Sequence, residues 1–166
     1  MSLSKKNIGA TLIETIIVVL IISILALLAV PSFLIYLEST RLKSAGESLG
    51  NNLNLARSEA FKQNINIRVV FQTGSNWCYG ITTTSTCNCS IAGNCNLGQT
   101  DSSSAANTSL SLSGISTDTT FSSLHGTATP SGSITFTSSS KSITVELNSQ
   151  GFTKICSSTV SGYSAC

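Results

Sequence analysis

The stretch that decides the fold reads Lys5-Lys6-Asn7-Ile8-Gly9-Ala10-Thr11-Leu12-Ile13-Glu14, runs on as apolar chain to Val30, and meets Pro31. As an α-helix, Leu12 to Val30 would rise about 28 Å, close to the bilayer hydrocarbon core of about 30 Å. Glu14 is the one ionisable side chain inside that run. A charge at a bilayer centre costs about 2.5–3.5 kcal/mol, so an acid placed there marks a functional position that needs a compensating cation. Scission between Gly9 and Ala10 would supply one, because the new α-ammonium group would lie at the same membrane depth as a carboxylate. A cleaved secretory signal has an apolar core of about 7–15 residues with its cleavage site after it. Here the run is longer and the glycine precedes it. An ordinary anchor accounts for the length but leaves Glu14 and the Gly9 junction unexplained.

Working outward, Pro31 falls inside a pattern that continues as helix and is expected to kink it rather than end it. Beyond it Leu42, Ala45, Leu49, Leu53, Ala56 and Ala60 recur at three- and four-residue steps, which predicts one apolar helix face packed on a globular domain. Gly46 and Gly50 sit within that helix, where each costs about 1 kcal/mol relative to alanine. Their spacing permits either close approach of another backbone or local flexing. After Leu55-Ala56-Arg57-Ser58-Glu59-Ala60-Phe61-Lys62-Gln63-Asn64 the period changes. Ile65, Ile67, Val69 and Phe71 alternate with Asn66, Arg68, Val70 and Gln72, so a strand begins. Arg57 and Glu59, two apart on a helix, do not face each other, which points to structural roles.

The basic leader, Gly9-Ala10-Thr11-Leu12-Ile13-Glu14 and Pro31 together resemble the signal of type IV pilins and type II secretion pseudopilins. The Leu-Ala-Arg-Ser-Glu-Ala helix end resembles the FimT/GspH-type minor pilins and pseudopilins in particular. The resemblance implies cleavage after Gly9 by a prepilin peptidase, methylation of the amine of Ala10, and a role for Glu14 in pairing with the amine of a neighbouring subunit. The family usually carries phenylalanine where Ala10 stands. The implied fold is α+β and type IV pilin-like, a long kinked N-terminal helix packed on a small antiparallel β domain with disulfides. The divisions expected are a leader over 1–9, a transmembrane or filament-core helix half over 10–31, an amphipathic helix half over 32–64 and an antiparallel β domain over 65–166.

Within the last division, strands are predicted at Trp77–Ile81, Leu110–Leu112, Ile134–Phe136, Ile143–Leu147 and Phe152–Ile155, separated by glycine, asparagine and serine clusters. Residues 100–142 are rich in serine and threonine, and Ser102–Asn107 is expected to be their most mobile part. Six cysteines, Cys78, Cys87, Cys89, Cys95, Cys156 and Cys166, follow the membrane segment and read as a disulfide framework. Cys156 and Cys166 stand apart and are expected to staple the C-terminal segment, constraining the unfolded chain by about 3 kcal/mol. Among the other four, Cys78 with Cys87 and Cys89 with Cys95 are the expected pairs. For zinc, Cys87, Cys89 and Cys95 offer three ligands at unconventional spacing where a structural site takes four. His125 stands in a polar stretch as a surface side chain.

Charged residues make up 10% of the chain, below the roughly 25% of an average domain, which suits a subunit packed in a filament. Losing the leader removes Lys5 and Lys6 and leaves seven basic against seven acidic side chains, so no net charge pulls the mature chain toward nucleic acid. No nucleophile motif, phosphate-cradling glycine loop or cofactor motif is present, and the expectation is a structural protein rather than an enzyme. Two functional classes follow from the resemblance. One is a minor subunit of the bacterial inner membrane, its C-terminal domain periplasmic, that packs by its helix with major and minor pilins and primes or joins a type IV pilus or a secretion pseudopilus. The other is a DNA-receptor pilin of natural transformation, in which a C-terminal Gly-Arg-x-Arg motif grips phosphate. The corresponding segment here, Gly151-Phe152-Thr153-Lys154, keeps one cation, and Lys154 would need help from Arg68 or Lys141.

Overall fold

The structure, a computed structural model, describes residues 12–166. Its first element is one α-helix, α1 (Leu12–Gln63), which continues through Pro31 rather than ending there. Lys62 in the last turn suits the negative end of the helix dipole, and Asn64, at φ +53°, stops the helix in a left-handed conformation. The chain divides into two compact units between Leu37 and Glu38, so α1 from Glu38 onward belongs with the strands.

In that second unit, nine antiparallel strands form two sheets. The first, ordered β3-β2-β1-β5-β6, contains β1 (Ile67–Gln72), β2 (Cys78–Thr82), β3 (Gly98–Asp101), β5 (Asp118–Phe121) and β6 (Ala128–Thr129). The second, ordered β4-β7-β8-β9, contains β4 (Ser109–Ser113), β7 (Gly132–Thr137), β8 (Ser142–Leu147) and β9 (Thr153–Cys156). The six predicted apolar positions of the helix, Leu42 through Ala60, are all buried in one core with Ile67, Val69 and Phe71 of β1 and with Ile134, Phe136, Ile143 and Val145 of β7 and β8. Gly46 and Gly50 have a packing reason. A Cβ at Gly46 would lie 3.0 Å from Ile143 Cδ1, and one at Gly50 would lie 3.1 Å from Ile155 Cδ1, so the helix lies against the second sheet where it has no side chains.

Three strands escaped the pattern: β3 and β5 are short and mostly polar, and β6 is only two residues long. Thr119 of β5 is fully buried, which it tolerates because its hydroxyl donates to Pro130 O at 2.7 Å. Ser102–Asn107, expected to be mobile, opens with a 3-10 turn over Ser102–Ala105. Asp101 caps the turn by accepting from Ser103 N, and Ala105 is buried.

The disulfides correct the expected pairing. Cys156–Cys166 forms as predicted, but Cys78 bonds Cys89 and Cys87 bonds Cys95. Sequence separation cannot choose between these patterns, since loop-closure cost rises only logarithmically. The sheet decides instead. β2 is buried on both faces: Tyr79 and Ile81 enter the main core, while Cys78 and Gly80 lie under the loop that joins β2 to β3. The Cys87–Cys95 bridge crosses directly over Gly80, where a Cβ would fall 2.2 Å from Cys95 Sγ, and Cys89 is left to reach Cys78.

Two polar ties fix the helix to the strands. Glu38 accepts from Ser140 N at 3.0 Å and from the Ser139 and Ser140 hydroxyls, and the Ser140 backbone N–H is the main reason its carboxyl titrates below the usual range. In the loop closed by Cys156–Cys166, the Tyr163 hydroxyl donates to Glu47 Oε1, and Lys43 Nζ stands 5.8 Å from the centre of the Tyr163 ring. Burial first, and the Glu47 carboxylate second, push the Tyr163 phenol up to about 12. A phenol whose folded pKa is raised stabilises the fold fully below its ordinary value of 10 and loses that contribution as pH rises toward 12. Tyr163→Phe is therefore expected to flatten the stability–pH profile between pH 10 and 12, measured by urea midpoints. An unchanged slope in that window would contradict the assignment.

Candidate functional site

The first compact unit is described through the N-terminal half of α1. Glu14 lies in the first turn, exposed, where a carboxylate meets the positive end of the helix dipole. Around it the surface is apolar on all sides: every large apolar side chain from Leu12 to Leu27 is at least 49% exposed. The two hydroxyls of this segment turn inward on the helix itself, Thr15 Oγ1 donating to Leu12 O and Ser23 Oγ to Val19 O, so neither interrupts that surface. Among the described residues, no single helix is long and apolar enough to cross a membrane. Leu12–Leu27 and Ser32–Gln63 meet that test only as a bent pair. Gly9 and Ala10, together with the basic leader before them, lie outside the described residues.

In the last turns of α1 the structure builds a second constellation. Half-buried Arg57 donates from Nε to Gly126 O at 3.2 Å, and its guanidinium carbon stands 4.1 Å from the centre of the Phe152 ring and 5.8 Å from that of Phe61. Helix, β5–β6 loop and β8–β9 turn therefore meet on one side chain. Both turns need glycine there. Gly126 has φ +61°, and a Cβ on it would fall 2.6 Å from the Phe61 ring; Gly151 has φ +78°, and a Cβ on it would fall 2.0 Å from Gly126 O. The turn that presents Gly151 and Phe152 is held by Asn148, whose Oδ1 accepts from Phe152 N at 2.8 Å and whose carbonyl accepts from Gly151 N at 2.9 Å.

Each cation considered for phosphate binding has a polar partner of its own. Lys154, on β9, faces Glu146 of β8 at 3.9 Å; Arg68, on β1 of the other sheet, faces Asp118 at 3.3 Å; Lys141 donates to Ser39. Gly151 lies beside Arg57, a Cβ there falling 3.1 Å from its Nε. The role of Arg57 as the meeting point of three segments escaped the sequence. The helix end and its partners are separated by 69 residues or more, and the only local signal was an arginine placed on a helix without an acid at i+3 or i+4.

Two crystal forms of the type IV minor pilin FimU from Pseudomonas aeruginosa share this fold. They align with TM-scores of 0.55 and 0.52 at 23% identity, covering 77% and 74% of this chain and 96% of FimU in each case. No curated protein matches the sequence significantly. The profile of the family described as Type II transport protein GspH matches residues 45–151, from the buried face of α1 to the Gly151 turn. That span exceeds half of the chain, and the protein belongs to the GspH family of type IV pilin-like proteins.

Proposed function

We propose that the protein is a minor pilin. A prepilin peptidase cleaves it after Gly9 and methylates Ala10, the N-terminal half of α1 holds it in the bacterial inner membrane, and it primes or joins assembly of a type IV pilus by packing that helix against major and minor pilins. The observation that carries this reading is the all-round exposure of apolar side chains from Leu12 to Leu27. A helix that is hydrophobic on every face works under lipid or among other helices. Glu14, placed in its first turn, is the position at which the amine of a neighbouring subunit would compensate a carboxylate.

The test is Glu14→Ala in the native host. Leader cleavage, seen as a gel shift, is expected to be unaffected. Recovery of the protein in sheared filaments is expected to fall by about tenfold or more, the equilibrium equivalent of about 1.4 kcal/mol. Normal recovery would sink the pairing mechanism. The family description as a type II transport protein favours a second reading, a minor pseudopilin, and the same experiment separates the two. A pilin is recovered with pili, whereas a pseudopilin is recovered with secretion components and its loss blocks protein export. The DNA-receptor reading gains no support from Lys154 and Arg68, since each faces a carboxylate of its own.

A further inference from the structure

Arg57 is held from two sides. One nitrogen of its guanidinium is bonded to Gly126 O and one face lies on Phe152, yet among the described residues no carboxylate pairs with it. Glu59, two positions on, turns instead to Lys62 at 3.1 Å and to Gln63. Neither Nη atom has a hydrogen-bond or ion-pair partner among the described residues. A planar fork immobilised in this way binds a carboxylate bidentately and loses little freedom on doing so.

The surroundings say what kind of carboxylate. Phe61, Leu124 and Phe152 are 47%, 75% and 55% exposed; Phe61 and Phe152 lie against the guanidinium, and Leu124 belongs to the loop that ends at Gly126. Nearby cations have carboxylate partners, Lys62 in Glu59 at 3.1 Å and Lys154 in Glu146 at 3.9 Å. What remains is a cationic fork without a carboxylate partner, beside two exposed aromatic rings. Nucleic acid would need a row of cations to release its counterions. A half-buried charge flanked by exposed aromatic rings is instead the composition of a protein–protein hot spot.

We propose that Arg57, with Phe61 and Phe152 beside it and the exposed loop of Leu124 running into Gly126, is a docking surface for a partner protein that presents one Asp or Glu side chain flanked by apolar residues. The partner's carboxylate takes both Nη atoms, its apolar neighbours cover the exposed rings, and the stacking on Phe152 holds the fork in register. This surface belongs to the second compact unit and Glu14 to the first, so it does not depend on the membrane pairing proposed for that residue.

The experiment is site-specific photo-cross-linking in the native host, with a benzophenone amino acid at Leu124 of the full chain. The expected result is cross-linking to one protein, mapped by mass spectrometry to a segment that carries an acid among apolar residues. Arg57→Gln is expected to lower the yield about tenfold or more, as loss of a central anchor does. Because Arg57 also joins three segments, Phe152→Glu is the second variant. That side chain is exposed, and a carboxylate there occupies the fork from within the same chain, so it should lower the yield equally without disturbing the core. Replacing the mapped acid of the partner by its amide should have the same effect in the wild type and no further effect in Arg57→Gln. Yield unchanged in Phe152→Glu, cross-links to nucleic acid alone, or no cross-linked protein at all would each overturn the proposal.

Discussion

Trp77→Ala is expected to cost about 3–5 kcal/mol of unfolding free energy, the range for removing a large aromatic from a packed core. Trp77 is the largest fully buried side chain among the described residues. It lies parallel to Tyr79 at 6.2 Å between ring centres and meets Phe136 of β7 edge-on at 4.9 Å, so one side chain joins the two sheets. Tyr79 extends the bridge to α1, its hydroxyl within 3.0 Å of both Ser48 Oγ and Asn52 Nδ2. The indole also donates to Thr108 Oγ1 at 3.0 Å. That bond is the smaller part of the effect, because Thr108 is not orphaned by its loss: its own hydroxyl still donates to Ala105 O. Trp77→Phe keeps an aromatic in the cavity and drops the N–H, and should cost roughly 1–2 kcal/mol, the sum of one net hydrogen bond and a modest loss of volume. Urea unfolding of the full chain with disulfides intact, followed by circular dichroism, checks both. If alanine and phenylalanine were equally costly, the hydrogen bond and not burial would dominate.

The contrast between what could and could not be read from the sequence follows the range of the interactions. The face of α1 from Leu42 to Ala60 was legible because a helix repeats every 3.6 residues, and one unbroken stripe needs no knowledge of its partner. The alternation Ile67, Val69, Phe71 was legible for the same reason, and all three are buried. β2 was legible as a strand but not as a strand covered on both faces, since its second cover is the disulfide-bonded loop after it. The pairing of Cys78 with Cys89 depends on where that loop crosses Gly80, a fact of sheet geometry rather than of spacing. Likewise β5 hides its burial in threonine, whose hydroxyl is satisfied by a carbonyl eleven residues away. The Arg57 constellation is the extreme case: an arginine on a helix gives no local sign that two left-handed glycines will close around it.

Gly151→Ala is expected to cost about 2–5 kcal/mol, for two reasons that act together. At φ +78° a residue with a Cβ is strained by roughly 1–2 kcal/mol. The greater part of the cost is steric: the new Cβ would fall 2.0 Å from Gly126 O and 3.1 Å from Arg57 Nε, and the first neighbour is backbone. A side chain could rotate away, but a carbonyl moves only with its loop. Displacing Gly126 O also breaks the bond from Arg57 Nε, so the substitution removes the hydrogen bond that aims the guanidinium as well as straining the turn. Gly74→Ala is the matched control, because φ there is +98° and no atom lies within 4 Å of the added Cβ, leaving backbone strain alone. The difference in urea midpoint between the two variants, converted with a common slope, measures the steric part. A Gly151 variant no less stable than the Gly74 variant would mean that the β8–β9 turn yields freely, and the rigid placement of Arg57 would then lose its structural basis.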